Sequence, residues 1–239
     1  MAVVPALGPA DELLMSILAE RGVIFFPSIS SQLMTRSKAL QALVLGHLMV
    51  PHTFVIQARR DLIQAMGMLQ EAGIGEVITK HDRGDCGIGI SLWGSTEDLF
   101  SHVSWLERVA GSDTRRIYPF VLQPFIKGAR DVRVIVIGDY MEAYERSSAF
   151  SFRNNMHFGG QSRPFSLGRG HEELCRKAMG QGGFPYAHID LLLTPEGECY
   201  LSEIALNGGI RGASITAQEC LSKKEGLRER FLSDLGLIS

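Results

Sequence analysis

Two carboxylates, Asp190 and Glu203, stand out for chemistry. They lie in apolar runs at 187–193 and 198–204, joined by Thr194-Pro-Glu-Gly197, which reads as a hairpin turn. A loop of four residues would pair Thr194 with Cys199 and put Asp190 directly opposite Glu203 on one face. Opposed residues have Cβ atoms about 5 Å apart, and like charges there destabilise a sheet. A divalent cation held by oxygen ligands would turn that penalty into a site. The other reading is a looser loop with one carboxylate facing solvent. The loop Gly84-Asp-Cys-Gly87-Ile-Gly89 follows a run ending at Lys80. Glycines let backbone N–H groups approach a phosphate, and Lys80 supplies a point charge. It is neither a Walker A sequence nor a dinucleotide fingerprint, because a strand rather than a helix follows it. A tight turn is the plain alternative.

Basic residues gather in the second half: Arg130, Arg133, Arg146, Arg153 and Arg211. Arg133 and Arg146 fall on the two arms of a hairpin turning at Gly138-Asp139, near its open end. Arginines there suit carboxylate or phosphate oxygens, and surface pairs with Asp131, Glu142 or Glu145 are the alternative. The polar stretch Arg153-Asn154-Asn155-Met-His157-Phe-Gly-Gly160 reads as a site loop more than as core.

The elements that position these residues follow from periodicity. Helices are expected over 11–20, 37–48, 60–71, 95–109, 170–179 and 215–235. Ser95 with Asp98 resembles a capping box. Strands are expected over 23–26, 53–57, 76–80, 88–92, 118–125, 131–137, 140–146, 187–193 and 198–204. Helices mixed with antiparallel hairpins imply an α+β protein of two lobes, divided near 116–121.

Composition sets outer bounds. The chain has 239 residues, 45% of them hydrophobic, and a formal net charge of −2. It is long enough to bury about 70% of its unfolded surface and needs no disulfide or zinc staple. No basic excess marks a nucleic-acid partner or a membrane surface. The longest apolar stretch, 39–51, is too short to span a bilayer, and the N-terminus does not read as a signal peptide. The four cysteines form no CxxC pair, which fits reduced thiols and a cytoplasmic location.

The motifs in order resemble the ATP-grasp superfamily, and within it the RimK-type ligases. They are Arg36-Ser-Lys38, Val77-Ile-Thr-Lys80, the glycine-rich loop, Leu122-Gln123-Pro-Phe125-Ile126, Arg130-Asp131-Val-Arg133, Glu145-Arg146, the 152–160 loop, His188-Ile-Asp190 and Ser202-Glu203. They span 34–212, roughly three quarters of the chain. The resemblance implies an ATP-grasp fold, two α+β lobes enclosing a nucleotide cleft. It implies a small lobe over 36–118, a C-terminal lobe over 119–239, and 1–35 as the remnant of a preceding domain. It implies ATP and magnesium as cofactors, with small carboxylate and amine substrates, an amino acid or peptide, joined through an acylphosphate. Carried over residue by residue, Lys38, Lys80, Gly87, Gln123, Phe125, Ile126, Asp131, Asn154 and Asn155 contact nucleotide. Arg133, Arg146 and Arg153 orient substrate and phosphate, and Asp190 and Glu203 hold magnesium.

Three departures qualify the pattern. The family's Asn two residues after the metal-binding Glu is Ala205, and Asn207 is the expected substitute ligand. The Glu of the adenine linker is Pro124. Only about 35 residues precede the grasp lobes, so the resemblance implies a shortened chain, a homo-oligomer or a partner that supplies the missing domain. The alternative to a ligase is a degenerate module that binds nucleotide as a binding or regulatory protein; a small-molecule kinase is a third option.

Overall fold

The computed structural model describes residues 9–84, 89–149, 151–152 and 160–238. It contains two antiparallel sheets. The first takes β1 (Phe54–Ile56), β2 (Val77–His81), β3 (Ile90–Trp93) and β4 (Phe120–Pro124) in the order β1-β4-β2-β3. The second takes β5 (Arg130–Ile137), β6 (Tyr140–Ser147), β7 (Gln161–Pro164), β8 (Tyr186–Leu193) and β9 (Cys199–Ala205) in the order β7-β6-β5-β8-β9. Helices α4 (Arg59–Glu71) and α5 (Thr96–Ala110) cover the first sheet, where Leu62, Leu69, Leu99 and Val103 meet Ile56, Val77 and Leu122. Each such fully buried side chain stabilises the fold by about 1.5–3 kcal/mol. Ser95 caps α5 as expected, accepting from the Asp98 N–H.

Alternation along the second sheet decides which side chains reach the site. Val132, Val134 and Val136 of β5, Ala143 of β6, and Ala187, Ile189 and Leu191 of β8 face one core. That core is completed by Ala42 and Leu45 of α3 (Lys38–Leu45) and by Cys175 and Ala178 of α6 (Arg169–Gly182). Asp131, Arg133, Tyr144, Arg146, His188 and Asp190 therefore project from the opposite face. At the far end of that face Ile135, Ile137 and Tyr144 pack with Ile215 and with Cys220 of α7 (Ala217–Asp234).

The division at 118/119 expected from sequence is not where the sheets divide. β4 sits between β1 and β2 in the first sheet, so the chain leaves that sheet only after Pro124. Likewise α3, and Met34 of the short α2 (Ile29–Met34), pack into the core of the second sheet. The strand expected over 23–26 is also corrected. Those residues are in neither sheet; they form a connector whose Phe26 packs against Phe231 of α7 at 4.9 Å. Its apolar character reflects that packing, and Pro27 directly after it has no N–H for a ladder. Helix α2 has six residues and no full apolar period, so periodicity does not mark it.

Asp82, just after β2, ties α3 to the first sheet. Its Oδ1 accepts from Ser37 Oγ at 2.6 Å and from the Ala39 N–H at 2.9 Å, fixing the start of the helix that carries Lys38. On the other side Arg83 pairs with Glu12 of α1 (Pro9–Glu20). Among the described residues no helix is long and apolar enough to cross a membrane. Asp82→Ala strips the buried Ala39 N–H and Ser37 hydroxyl of their acceptor. It should lower folding stability by about 1–3 kcal/mol, measured by urea denaturation.

Candidate active site

A cavity of about 990 Å³ opens between the two sheets. Eleven of the residues singled out from sequence line it: Lys38, Lys80, Gln123, Phe125, Ile126, Asp131, Arg133, Arg146, Asp190, Glu203 and Asn207. The other four, Gly87, Arg153, Asn154 and Asn155, lie outside the described residues. Among the described residues seven cationic side chains line the cavity (Arg36, Lys38, Lys80, Arg83, Arg133, Arg146 and Arg211) against three carboxylates, Asp131, Asp190 and Glu203. That local excess of positive charge, in a chain of net charge −2, suits a ligand with several anionic oxygens.

Asp190 and Glu203 do face each other, but by a different route from the one expected. The hairpin loop is one residue tighter: Leu193 pairs with Cys199, Thr194 N–H donates to Glu198 O at 2.8 Å, and Gly197 takes φ +94°. That register alone would point Glu203 into the core. A β-bulge between Asp190 and Leu191 leaves Ser202 as the extra residue and restores the pairing of Asp190 with Glu203. The bulge lets Leu201 and Ile204, three apart, both face the core while Glu203 faces the cavity.

Each carboxylate already has cationic partners, which removes the expected repulsion. Arg133 grips Asp190 through Nε at 2.7 Å and Nη2 at 2.8 Å. Arg146 Nη2 adds 2.9 Å to Asp190 and 2.7 Å to Asp131. Burial opposes ionisation of Asp190, but Arg133 and Arg146 overcome it and hold its pKa well below the usual carboxylate range. Removing one partner of such a buried set typically costs about 3–5 kcal/mol, because the remaining charge is left uncompensated. Glu203, by contrast, meets Lys38 Nζ at 3.1 Å and keeps 30% of its side chain exposed.

From the facing sheet Lys80 reaches across to the bulge. Its Nζ donates to both Ser202 O and Ser202 Oγ at 3.2 Å. Burial brings the Lys80 pKa down to about 8, against the pull of Glu203 and with help from neighbouring Lys38. At the other end, Phe125 and Ile126 form an apolar wall. The Phe125 N–H bonds to Glu76 O at 3.0 Å, and its ring meets Phe152 edge-on. Gln123 instead turns to Thr53, donating to Oγ1 at 2.8 Å.

Tyr144 and Gly208 carried no sequence signal of their own, and they hold neighbours of residues that did. Tyr144 shares a face with Arg146 by alternation, and its hydroxyl donates to Gly209 O at 2.9 Å. His188 is buried with Nδ1 lacking a hydrogen-bond partner among the described residues, and burial pushes its pKa down to about 4. Gly208 packs so closely on that ring that an added Cβ would lie 3.0 Å from Nδ1. Asn207 Oδ1 accepts from Lys224 Nζ of α7 at 2.9 Å.

Comparisons agree with this geometry. A family model described as a RimK-like ATP-grasp domain matches residues 30–224. A probable alpha-L-glutamate ligase of Mannheimia succiniciproducens is 31% identical over 206 residues, covering 82% of this chain and 65% of the relative. The chain spans about half the length of other curated relatives it matches, 42% for that of Rhodopirellula baltica and 51% for that of Histophilus somni. Among solved structures, the D-cycloserine synthetase DcsG superposes with a TM-score of 0.67 at 14% identity, covering 92% of this chain and 77% of its own. The ATP-grasp ligase PsnB, complexed with a phosphomimetic variant of a minimal precursor, Mg and ADP, superposes at 0.60 with 18% identity, covering 92% and 67%. At these identities the structural likeness speaks for the fold.

The depressed Lys80 yields a linked-proton prediction. A bound polyanion favours the ammonium and raises its pKa, so binding near pH 8.5 takes up a fraction of a proton. Calorimetry of a triphosphate ligand in buffers of different ionisation enthalpy should detect that uptake, and Lys80→Met should lose most of it.

Proposed function

The chain belongs to the RimK-like ATP-grasp family, and from that premise we propose that it is an ATP- and magnesium-dependent carboxylate–amine ligase. The observation that carries this reading is the polarity of one cavity. Its apolar end, at Phe125 and Ile126, suits an adenine, and its cationic end, at Lys38, Lys80, Arg133 and Arg146, suits phosphates and a substrate carboxylate. In the reaction, a carboxylate oxygen attacks the γ-phosphorus and ADP leaves, giving an acylphosphate. An amine then attacks the acyl carbon, forming the C–N bond as phosphate departs and the amine loses a proton.

The chain's own residues divide these tasks. Lys38 and Lys80 neutralise phosphate oxygens from opposite walls. Arg133 and Arg146, held rigid by Asp190, orient the anionic groups and stabilise charge as it develops. Glu203 fits magnesium, since it is a carboxylate on the cavity face that pairs, among the described residues, with Lys38 and keeps 30% of its side chain exposed. A magnesium ion there would neutralise the phosphate charge that phosphoryl transfer builds up. The glutamate-ligase names of the relatives point to an acidic amino acid as one substrate class. Free thiols at Cys175, Cys199 and Cys220 fit a reducing, cytoplasmic setting.

A second reading, a nucleotide-binding module without turnover, is favoured by one observation: Ala205 offers the cavity no side-chain oxygen. The two are separated by incubating the chain with ATP, magnesium and a panel of amino acids and acidic peptides. The ligase reading expects ADP and phosphate in step with a product whose mass is the sum of both substrates minus water. Lys80→Met and Glu203→Gln should each lower that turnover about 100-fold or more. Nucleotide binding with no product from any pair would favour the module.

A further inference from the structure

Among the described residues Asp190, Glu203 and Asn207 could bring side-chain oxygen to a cation near the bulge, and the structure commits them unequally. Asp190 is gripped at both oxygens, by Arg133 and by Arg146. The Arg146 side chain is only 5% exposed, so an Asp190 that turned to a metal would leave a buried guanidinium with Asp131 alone. Asn207 Oδ1 accepts from Lys224, which also donates to Leu206 O at 3.1 Å. A cation drawn to Oδ1 would sit beside that ammonium, and like charges repel. Ala205, opposite His188 at the end of β9, has no oxygen in its side chain. Glu203 is the exception. Among the described residues no group of three His, Cys, Asp or Glu side chains is gathered to hold a metal.

Magnesium demands near-octahedral oxygen coordination. Two ions bridging phosphates need two sets of protein oxygens; one ion needs Glu203, phosphate oxygens and water. Resting on the ligase reading, we propose that this cavity holds a single divalent cation, at Glu203, and that Arg133 and Arg146 stand where a second cation would otherwise neutralise phosphate. Asp190 is then a positioning residue for the arginine pair, and Lys224 keeps Asn207 turned away from the metal.

The test uses manganese as the probe. The full chain is mixed with a non-hydrolysable ATP analogue, with the chain in slight excess, and Mn²⁺ is titrated while free Mn²⁺ is read by electron paramagnetic resonance. The expected break falls at one Mn²⁺ per bound analogue; a break at two overturns the inference and leaves the ligase reading standing. Failure of the analogue to bind at any Mn²⁺ concentration, read by calorimetry, overturns both. Variants sharpen the assignment. Glu203→Gln should weaken Mn²⁺ binding at least tenfold and Lys224→Met less than threefold; the reverse order overturns it. Ala205→Asn, which restores an oxygen on the cavity wall, should bring a second Mn²⁺ equivalent at a higher concentration.

Discussion

One extra residue in one strand governs the site. Without the bulge at Ser202, the register that begins at Leu193 and Cys199 would place Glu203 in the core and Ile204 in the cavity. An ionised carboxylate there would meet Val, Ile and Leu side chains, a burial that proteins do not sustain unpaired. The bulge resolves a conflict written into the chain, where Leu201 and Ile204 both belong to the core yet stand three apart. It also leaves the Ser202 carbonyl free for Lys80, so the irregularity that aims Glu203 also links the two sheets across the cavity.

Electrostatics then explains why so many cations sit together. Arg133, Arg146, Lys38 and Lys80 would repel one another in an empty cavity. Asp131 and Asp190 hold the arginines, Glu203 holds Lys38, and Ser202 accepts twice from Lys80. The arrangement is preorganised for anions, because the guanidinium groups need not move when a ligand arrives. Tyr144 and Arg133 extend that rigidity by fastening Gly209, so the turn after β9 is fixed to the middle of the sheet.

Much of this was legible in the sequence, for identifiable reasons. Apolar runs and turn residues marked β5, β6 and β8 as strands, while the face shared by Arg133, Arg146 and Asp190 came from the register between them. Gly138-Asp139 marked its hairpin turn plainly. The facing of Asp190 and Glu203 was foreseen, although its cause was a tighter turn corrected by a bulge. Bulges have no sequence signature as local as a turn, and only the Leu201–Ile204 spacing hinted at this one. Sheet membership was harder. β4 is buried throughout, so nothing local says which sheet it joins, and α3 packs on the sheet that follows it much later in the chain. The commitment of Asn207 to Lys224 depends on a helix 17 positions away and could not be read from the motif.

The central claim is that a carboxylate is activated by phosphoryl transfer inside this cavity, and isotope transfer tests it most directly. With the carboxylate substrate labelled with ¹⁸O, phosphate released during amide formation should carry one ¹⁸O for each amide made, read by mass spectrometry. The labelled oxygen leaves the acyl carbon only if it had first bonded to the γ-phosphorus. Amide formation that releases unlabelled phosphate would contradict the account.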